Sequence, residues 1–302
     1  MENNCFVCSK TPAKTIIAKE VTVYCCTNCG TQWQWPLKEE KEYEDIYTEK
    51  YYKEIWGWRK EKDRQIGKSK FATSKNFIKH LHNHKKGGKV LDIGCGLGYL
   101  LSFLQQDNYE YDVYGVELSG FARNISEERM GKGRVFENLE ELKKKRMQFD
   151  AILLFDSMEH IPNQDKLLKD IDVLLAPKGK VLVIMPAADS FAAKIMGKQW
   201  IEYKKDHVLF YTKKALKQQL EKYNFRIKYM RSCWKTVTLV YLASYLSVFR
   251  IPIMSTILEA TIKLFPEFIQ NIPISIPIGQ MMVVFERKEY KNNNYCGQVF
   301  LS

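Results

Sequence analysis

The stretch from Lys89 to Pro186 constrains this chain more than any other, because short apolar runs alternate there with helical segments in strict order. The runs KVLDI, DVYGVE, GRVF, FDAILLF and GKVLVIMP have the length and β-branched content of buried strands. Helices between them begin near Tyr99, Ser119, Leu139 and Gln164. Strands joined by helices return the chain in one direction, so the pattern predicts a parallel sheet covered on both faces. Further on, Thr212 caps a helix reaching Tyr223, and FRIKYMRSCW and GQMMVVFERK supply two later strands. No internal repeat accompanies them.

Around this body the composition divides the chain into a Cys-rich head (1–35), a charged and aromatic connector (36–86), the α/β body (87–288) and a polar tail (289–302) that is expected to fray. The connector is dense in charge and in Tyr and Trp, which suits amphipathic helices laid across a neighbouring domain better than a free linker. An apolar insert at 235–278 separates the last two strands and reads as two helices followed by an extended segment containing Pro273 and Pro277. Its longest uncharged run, Thr236 to Phe249, is 14 residues, short of the roughly 20 a spanning helix needs. The N-terminus lacks the pattern of a secretory signal, and eight cysteines in 302 residues are too sparse for a disulfide scaffold. A cytoplasmic protein is expected. The net charge of +12 could draw RNA or an anionic membrane, or could reflect a Lys-rich composition alone.

Five of the cysteines fall in the first 29 residues. Cys5-Phe-Val-Cys8 and Cys26-Thr-Asn-Cys29 form two Cys-x2-Cys knuckles, the spacing that suits tetrahedral zinc in a module too small to bury a core. Four thiolates leave no position for a catalytic water, so a structural ion is expected. Cys25 is a spare thiol, since Cys26 gives the two-residue spacing to Cys29. Such a head can recognise a macromolecule or pack on its host.

The first strand of the body ends in Asp92 and opens through Gly94, Gly96 and Gly98 into a helix. Glycines there let a ligand approach the backbone, and the helix start offers free N–H groups to an anionic part of it. A dinucleotide fingerprint asks for G-x-G-x-x-G, but position 99 is Tyr99, which makes NAD the less favoured ligand. Glu117 ends the second strand, where a carboxylate can accept ribose hydroxyls.

In the order VLDIGCGLGYL, VYGVELSG, FDAILLFDSMEHI and LLAPKGKVLVIMP, the body resembles the class I S-adenosylmethionine-dependent methyltransferases. Within that class it looks like the ubiquinone-biosynthesis O-methyltransferase group and its relatives, some of which carry an N-terminal zinc ribbon. The resemblance covers roughly Lys89 to Arg226. It implies a Rossmann-like, seven-stranded, mostly parallel sheet whose final strand runs antiparallel. It further implies that Asp92, Gly94, Gly96 and Gly98 hold the methionine part of S-adenosyl-L-methionine and that Glu117 holds the ribose. Adenine would then lie near Asn138 and Leu139, with Asp156 and Ser157 lining the pocket. The long insert departs from the family pattern.

Methyl transfer is a direct displacement, so the protein aligns the acceptor and excludes water, and an oxygen acceptor gains from a base. His207 is the better candidate, with Asp206 as its orienting partner; His160, beside Glu159, is the second. Each has a structural alternative. His80, His82 and His84 read as a solvated helix face, Cys95 as a small residue in the turn, and the aromatics Tyr51, Tyr52, Trp56 and Trp58 as packing. The expected function is O-methylation of a small metabolite, sugar or glycan precursor. RNA or protein modification through the head, a noncatalytic cofactor-binding protein, and peripheral membrane contact through 235–278 are the alternatives.

Overall fold

The computed structural model describes residues 4–10, 14–18, 21–37, 42, 46–54, 58–106, 110–238, 264–266, 269 and 272–288. Three short strands open the chain: β1 (Lys14–Ala18), β2 (Val21–Cys25) and β3 (Gln32–Gln34). The connector supplies α1 (Glu49–Glu54) and α2 (Asp63–His84). The body follows as β4 (Gly88–Ile93), α3 (Tyr99–Gln106), β5 (Tyr111–Val116), α4 (Gly120–Met130), β6 (Val135–Phe136), α5 (Leu139–Lys144), β7 (Phe149–Phe155), α6 (Gln164–Leu174) and β8 (Leu175–Pro186). Then come α7 (Phe191–Met196), β9 (Leu209–Phe210), α8 (Lys213–Lys222), β10 (Phe225–Thr238) and β11 (Pro273–Arg287).

Seven strands form one sheet in the order β10-β11-β8-β7-β4-β5-β6. Strands β8, β7, β4, β5 and β6 are parallel, while β11 runs antiparallel to both β8 and β10. Chain order reverses between β4 and β7, and open α/β sheets bind ligands at the carboxyl ends of the strands at such a point. Central strands covered on both faces must be apolar throughout; accordingly Val90, Leu91, Ile152, Leu153, Leu154 and Val183 are inaccessible to solvent. The helix starts follow from side-chain caps: Ser119 accepts from the Ala122 N–H, Asn138 from Glu141, Asn163 from Lys166 and Thr212 from Ala215.

Three expectations need correction. The third strand is only Val135–Phe136, because Gly133 adopts a positive φ of 77° just before it. The insert is shorter than 235–278: Lys235 to Thr238 extend β10 and pair with Ile276 to Pro273 at the start of β11. The two prolines are tolerated there because Pro273 is the first residue of its strand and Pro277 falls at a register shift between Cys233 and Lys235. The extended segment thus agrees with its reading, whereas the two helices expected ahead of it fall on residues 239–263, outside the described residues. Finally, the helical histidines do not form a solvated face. His80 and His84 pack half-buried against the Tyr229 ring of β10, and His80 Nε2 lies 2.8 Å from the Arg231 guanidinium.

The head joins the body through hydrogen-bonded strands. A second sheet runs β1-β2-β3-β9, with Gln32 opposite Phe210 and Trp33 opposite Leu209. Thr212 Oγ1 donates to the Cys29 carbonyl at 2.7 Å and the Tyr203 hydroxyl to Gln32 Oε1 at 2.7 Å. Phe6, Trp33 and Tyr211 meet edge to face, so one apolar core runs from the head into the main sheet.

Candidate active site

The glycine turn closes at the end of β4 against the next strands. Gly94 and Cys95 donate their N–H groups to the Val116 carbonyl at 2.8 and 3.1 Å. Gly94, Gly96 and Gly98 have φ of 79°, 55° and 76°, which L side chains rarely adopt. Space forbids a side chain as well, since a Cβ on Gly94 would lie 2.7 Å from Ser157 Cβ and one on Gly98 2.3 Å from Ser126 Oγ. Cys95 is buried beneath the turn, and burial pushes its thiol well up, so it has no nucleophilic character.

Glu117 stands beside this turn with 6% of its surface exposed. Its Oε2 accepts the Gly96 N–H at 2.8 Å, and its Oε1 accepts the Ser119 N–H at 2.8 Å and the Tyr52 hydroxyl at 3.3 Å. Asp92 is 4% exposed, and its carboxyl is influenced by burial and the Glu117 charge alone, with no hydrogen bond to it among the described residues. Burial, then the neighbouring Glu117 charge, raises its carboxyl to about 7. A nucleoside ligand with an ammonium group fits this cradle: the cation would hold Asp92 ionised, and Glu117 would meet the ribose. Ser157, with its buried Oγ unpartnered, backs the same turn.

The remaining cofactor candidates divide. Asn138 and Leu139 follow β6, one strand beyond Glu117, whose N–H donates to the Phe136 carbonyl. The Asn138 side chain is engaged as the cap of α5, and Leu139 is half-buried against the core. Asp156 follows β7 with φ of 50°, and its carboxylate is committed to Lys235 at 2.8 Å and to Gln280. Burial opposes its charge, yet Lys235, Lys204 and Lys70 together hold it below the usual range. Asp156 therefore faces the two late strands.

Across the switch point lies a second polar cluster. Glu159 and His160 sit in a turn at Met158–His160 after β7, and His207 sits in the loop before β9. The Val208 N–H donates to the Glu159 carbonyl at 2.9 Å, tying the two segments together. The His160 and His207 rings are perpendicular with centroids 4.6 Å apart. Here the expected partner of His207 is corrected. Asp206 turns the other way: its carbonyl oxygen lies 2.8 Å from His160 Nδ1, and its carboxylate accepts the Tyr51 hydroxyl at 3.0 Å. His207 Nδ1 instead faces Glu202 Oε2 at 3.6 Å. Sequence position favoured the adjacent acid, but the turn closed by the His207 N–H to the Lys204 carbonyl at 3.3 Å sends the two side chains to different partners.

A carbonyl only accepts, so His160 Nδ1 carries the proton and its Nε2 presents a lone pair. Burial lowers both histidines, His207 well below the usual range, which favours the neutral ring in each. Burial and then the Asp156 and Glu202 charges push Glu159 well up.

The connector covers both clusters, so its aromatics do more than pack. Tyr52 of α1 reaches Glu117, while the Tyr47 hydroxyl lies 3.0 Å from His160 Nδ1 and its carbonyl accepts Ser119 Oγ at 2.5 Å. Trp58 donates to Asp63 at 2.8 Å; Trp56 lies outside the described residues. Sequence reasoning missed Tyr47, Glu202 and Lys235, for which no motif or period gives a signal.

In the head, Cys5 and Cys29 sulfurs lie 3.5 Å apart and those of Cys8 and Cys26 3.4 Å apart. All four fall within 4.8 Å of one another, a donor set and spacing that fit tetrahedral zinc.

Sheet order, glycine turn and acidic second strand define a Rossmann-like protein for a nucleoside cofactor. Residues 64–229, more than half of the chain, match the family described as a methyltransferase domain, and the chain belongs to that family. It is 30% identical over 106 residues to the ubiquinone biosynthesis O-methyltransferase of Paraburkholderia phymatum, covering 33% of this chain and 45% of the relative. It is 34% identical over 101 residues to the cyclopropane-fatty-acyl-phospholipid synthase of Escherichia coli, covering 33% and 26%. The chain thus spans less than half the length of these relatives. Among solved structures it resembles the PH0226 protein of Pyrococcus horikoshii at a TM-score of 0.50 and 17% identity, covering 80% of this chain and 99% of that one. That likeness concerns the fold.

Proposed function

We propose that the protein transfers a methyl group from S-adenosyl-L-methionine to an oxygen of a small metabolite, sugar or glycan precursor. The carrying observation is Glu117, a buried carboxylate at the end of β5 braced by the Gly96 and Ser119 N–H groups beside three left-handed glycines. Asp92, Gly94, Gly96 and Gly98 would receive the methionine part, Glu117 the ribose, and the segment at Asn138 and Leu139 the adenine, with Ser157 as a wall. Bound there, the cofactor supplies an electrophilic methyl group.

The chain's own residues do the rest. Tyr47, Tyr51 and Tyr52 shield the cleft from water, which favours displacement over solvation of the reacting groups. His207, neutral and backed by Glu202, is the group suited to take the acceptor's proton, and His160, its Nδ1 fixed by Asp206, presents Nε2 on the same side. The relatives named as an O-methyltransferase and as a cyclopropane-fatty-acyl-phospholipid synthase differ in acceptor, so they leave the acceptor open.

The head is assigned structural zinc through Cys5, Cys8, Cys26 and Cys29, with no chemistry of its own. A membrane-peripheral location is kept as a proposal for the insert on the strength of its apolar sequence. Among the described residues no helix is long and apolar enough to cross a membrane. The functional test is a screen of hydroxylated acceptors with radiolabelled S-adenosyl-L-methionine, in which label transfer must depend on His207. Transfer to RNA or protein alone would replace this acceptor class.

A further inference from the structure

Glu117 is short of one acceptor site for a ribose while Tyr52 is in place. A carboxylate offers about four such sites, two on each oxygen. Oε1 takes the Ser119 N–H at 2.8 Å and the Tyr52 hydroxyl at 3.3 Å, and Oε2 takes the Gly96 N–H at 2.8 Å. The two backbone donors belong to the strand end and the glycine turn and stay where they are. One site remains on Oε2, and the second that a pair of ribose hydroxyls needs is the one the Tyr52 hydroxyl fills.

That hydroxyl cannot leave by a turn of the side chain alone. Tyr52 is 3% exposed and packs with Leu97, Tyr99 and Ala122, its ring edge to face with Tyr51 at 5.5 Å and tilted against Phe121 at 6.0 Å. A side chain closed in on every side moves with its backbone. The backbone here is α1, six residues long and too short to persist as a helix by itself. Hydrogen bonds tie this strap to both sides of the cleft. Tyr52 holds Glu117 on the cofactor side, while the Tyr51 hydroxyl holds the Asp206 carboxylate at 3.0 Å and the Tyr47 hydroxyl lies 3.0 Å from His160 Nδ1. A shift of α1 that frees Glu117 therefore also loosens the strap over the histidines.

We propose that Tyr52 stands in for a ribose hydroxyl on Glu117 and that the arriving cofactor displaces it, so that α1 lifts and opens the histidine side to the acceptor only after the cofactor is bound. This order of binding rests on the reading of the cradle as a site for S-adenosyl-L-methionine. The Asp206 carbonyl keeps its hold on His160, and His207 keeps its place as the base. Return of the strap over both ligands restores the shield against water. In the free protein the strap is closed, and apparent cofactor affinity is reduced by the fraction of molecules in which it is open.

The test is calorimetric titration of the full, zinc-loaded chain with S-adenosyl-L-methionine and, separately, with adenosine, which carries the same ribose without the methyl group. Tyr52→Phe and Tyr51→Phe each remove one hydroxyl and keep the ring. Affinity for either ligand is expected to rise about threefold in each variant, because one hydrogen bond of the closed strap is gone. A tyrosine that only packs, or that clasps the cofactor, leaves affinity unchanged or lowers it; that result in Tyr52→Phe overturns the exchange, and in Tyr51→Phe the coupling to the histidine side. Hydrogen exchange of the wild type needs no substitution: with S-adenosyl-L-methionine bound, amides of residues 49–54 should exchange faster while those of 94–98 slow, and protection of both segments would overturn the proposal. Adenosine binding that tightens in Tyr52→Phe, in a protein that ignores S-adenosyl-L-methionine, sinks the methyltransferase reading and leaves the strap standing. S-adenosyl-L-methionine binding that does not tighten does the reverse, and binding of neither ligand sinks both.

Discussion

Trp33 in the third strand of the cysteine head stands directly opposite Leu209, two residues beyond His207. The Gln34 N–H donates to the Val208 carbonyl at 2.9 Å, and the Gln34 side chain reaches the Lys204 carbonyl at 2.6 Å. The head therefore holds the loop that carries His207 and Glu202, while the cofactor cradle rests on the main sheet. Removing zinc should loosen one and spare the other. With a strong chelator, or in Cys26→Ala, amide exchange is expected to rise in residues 21–34 and 204–210, with little change in β4, β5 and β7. Cofactor affinity should stay within about threefold, since the cradle shares no residue with the head. Equal exposure of the central strands would show that the head stabilises the whole fold.

Glu117 is braced by two backbone N–H groups, so its carboxylate stays in place when Tyr52 is lost. Glu117→Ala removes a charged acceptor of hydroxyl hydrogen bonds, about 1.5 to 3 kcal/mol, and cofactor affinity should fall roughly tenfold to a hundredfold. Tyr52→Phe keeps the ring and should change affinity far less. Calorimetric titration of both variants checks this, and a loss under about threefold in Glu117→Ala would contradict the ribose assignment.

Asp92 gives the cradle a pH dependence. Burial and Glu117 raise its carboxyl to about 7 in the free protein, and the ammonium of a bound cofactor favours the ionised form. Below pH 7 a proton must therefore leave before the cofactor binds, and affinity should weaken with falling pH by at most about tenfold per unit. Asp92→Asn should flatten the profile. An affinity in wild type that is constant from pH 8 to 6 would contradict the charge pairing.

The glycine turn makes a steric prediction. Gly98→Ala combines a φ of 76° with a Cβ 2.3 Å from Ser126 Oγ, whereas Gly131→Ala at φ 91° meets nothing within 4 Å. Strain of this kind costs about 1 to 3 kcal/mol. The melting temperature should fall in both variants and further in Gly98→Ala, with cofactor affinity reduced in that variant alone.

Much of the fold was legible because it is periodic or local. The strand and helix alternation from Lys89, the Ser119 and Thr212 caps and the spacing of the four cysteines are all read along the chain, and each has its structural counterpart. Asp92 and Glu117 were legible because they end strands at fixed distance from a glycine turn. What escaped depends on folding back. Glu202 meets His207 only through the turn of its loop, Lys235 reaches Asp156 across 79 residues, and Tyr52 reaches Glu117 across 65. Pairing of β3 with β9 joins segments roughly 175 residues apart, and no window of sequence contains it.

Isothermal titration of the metal-replete protein with S-adenosyl-L-methionine, and separately with NAD, tests the central claim most directly. Saturable binding of S-adenosyl-L-methionine that weakens at least about tenfold in Glu117→Ala, with no NAD binding, is the predicted result. Binding of NAD alone, or of neither ligand, would contradict it.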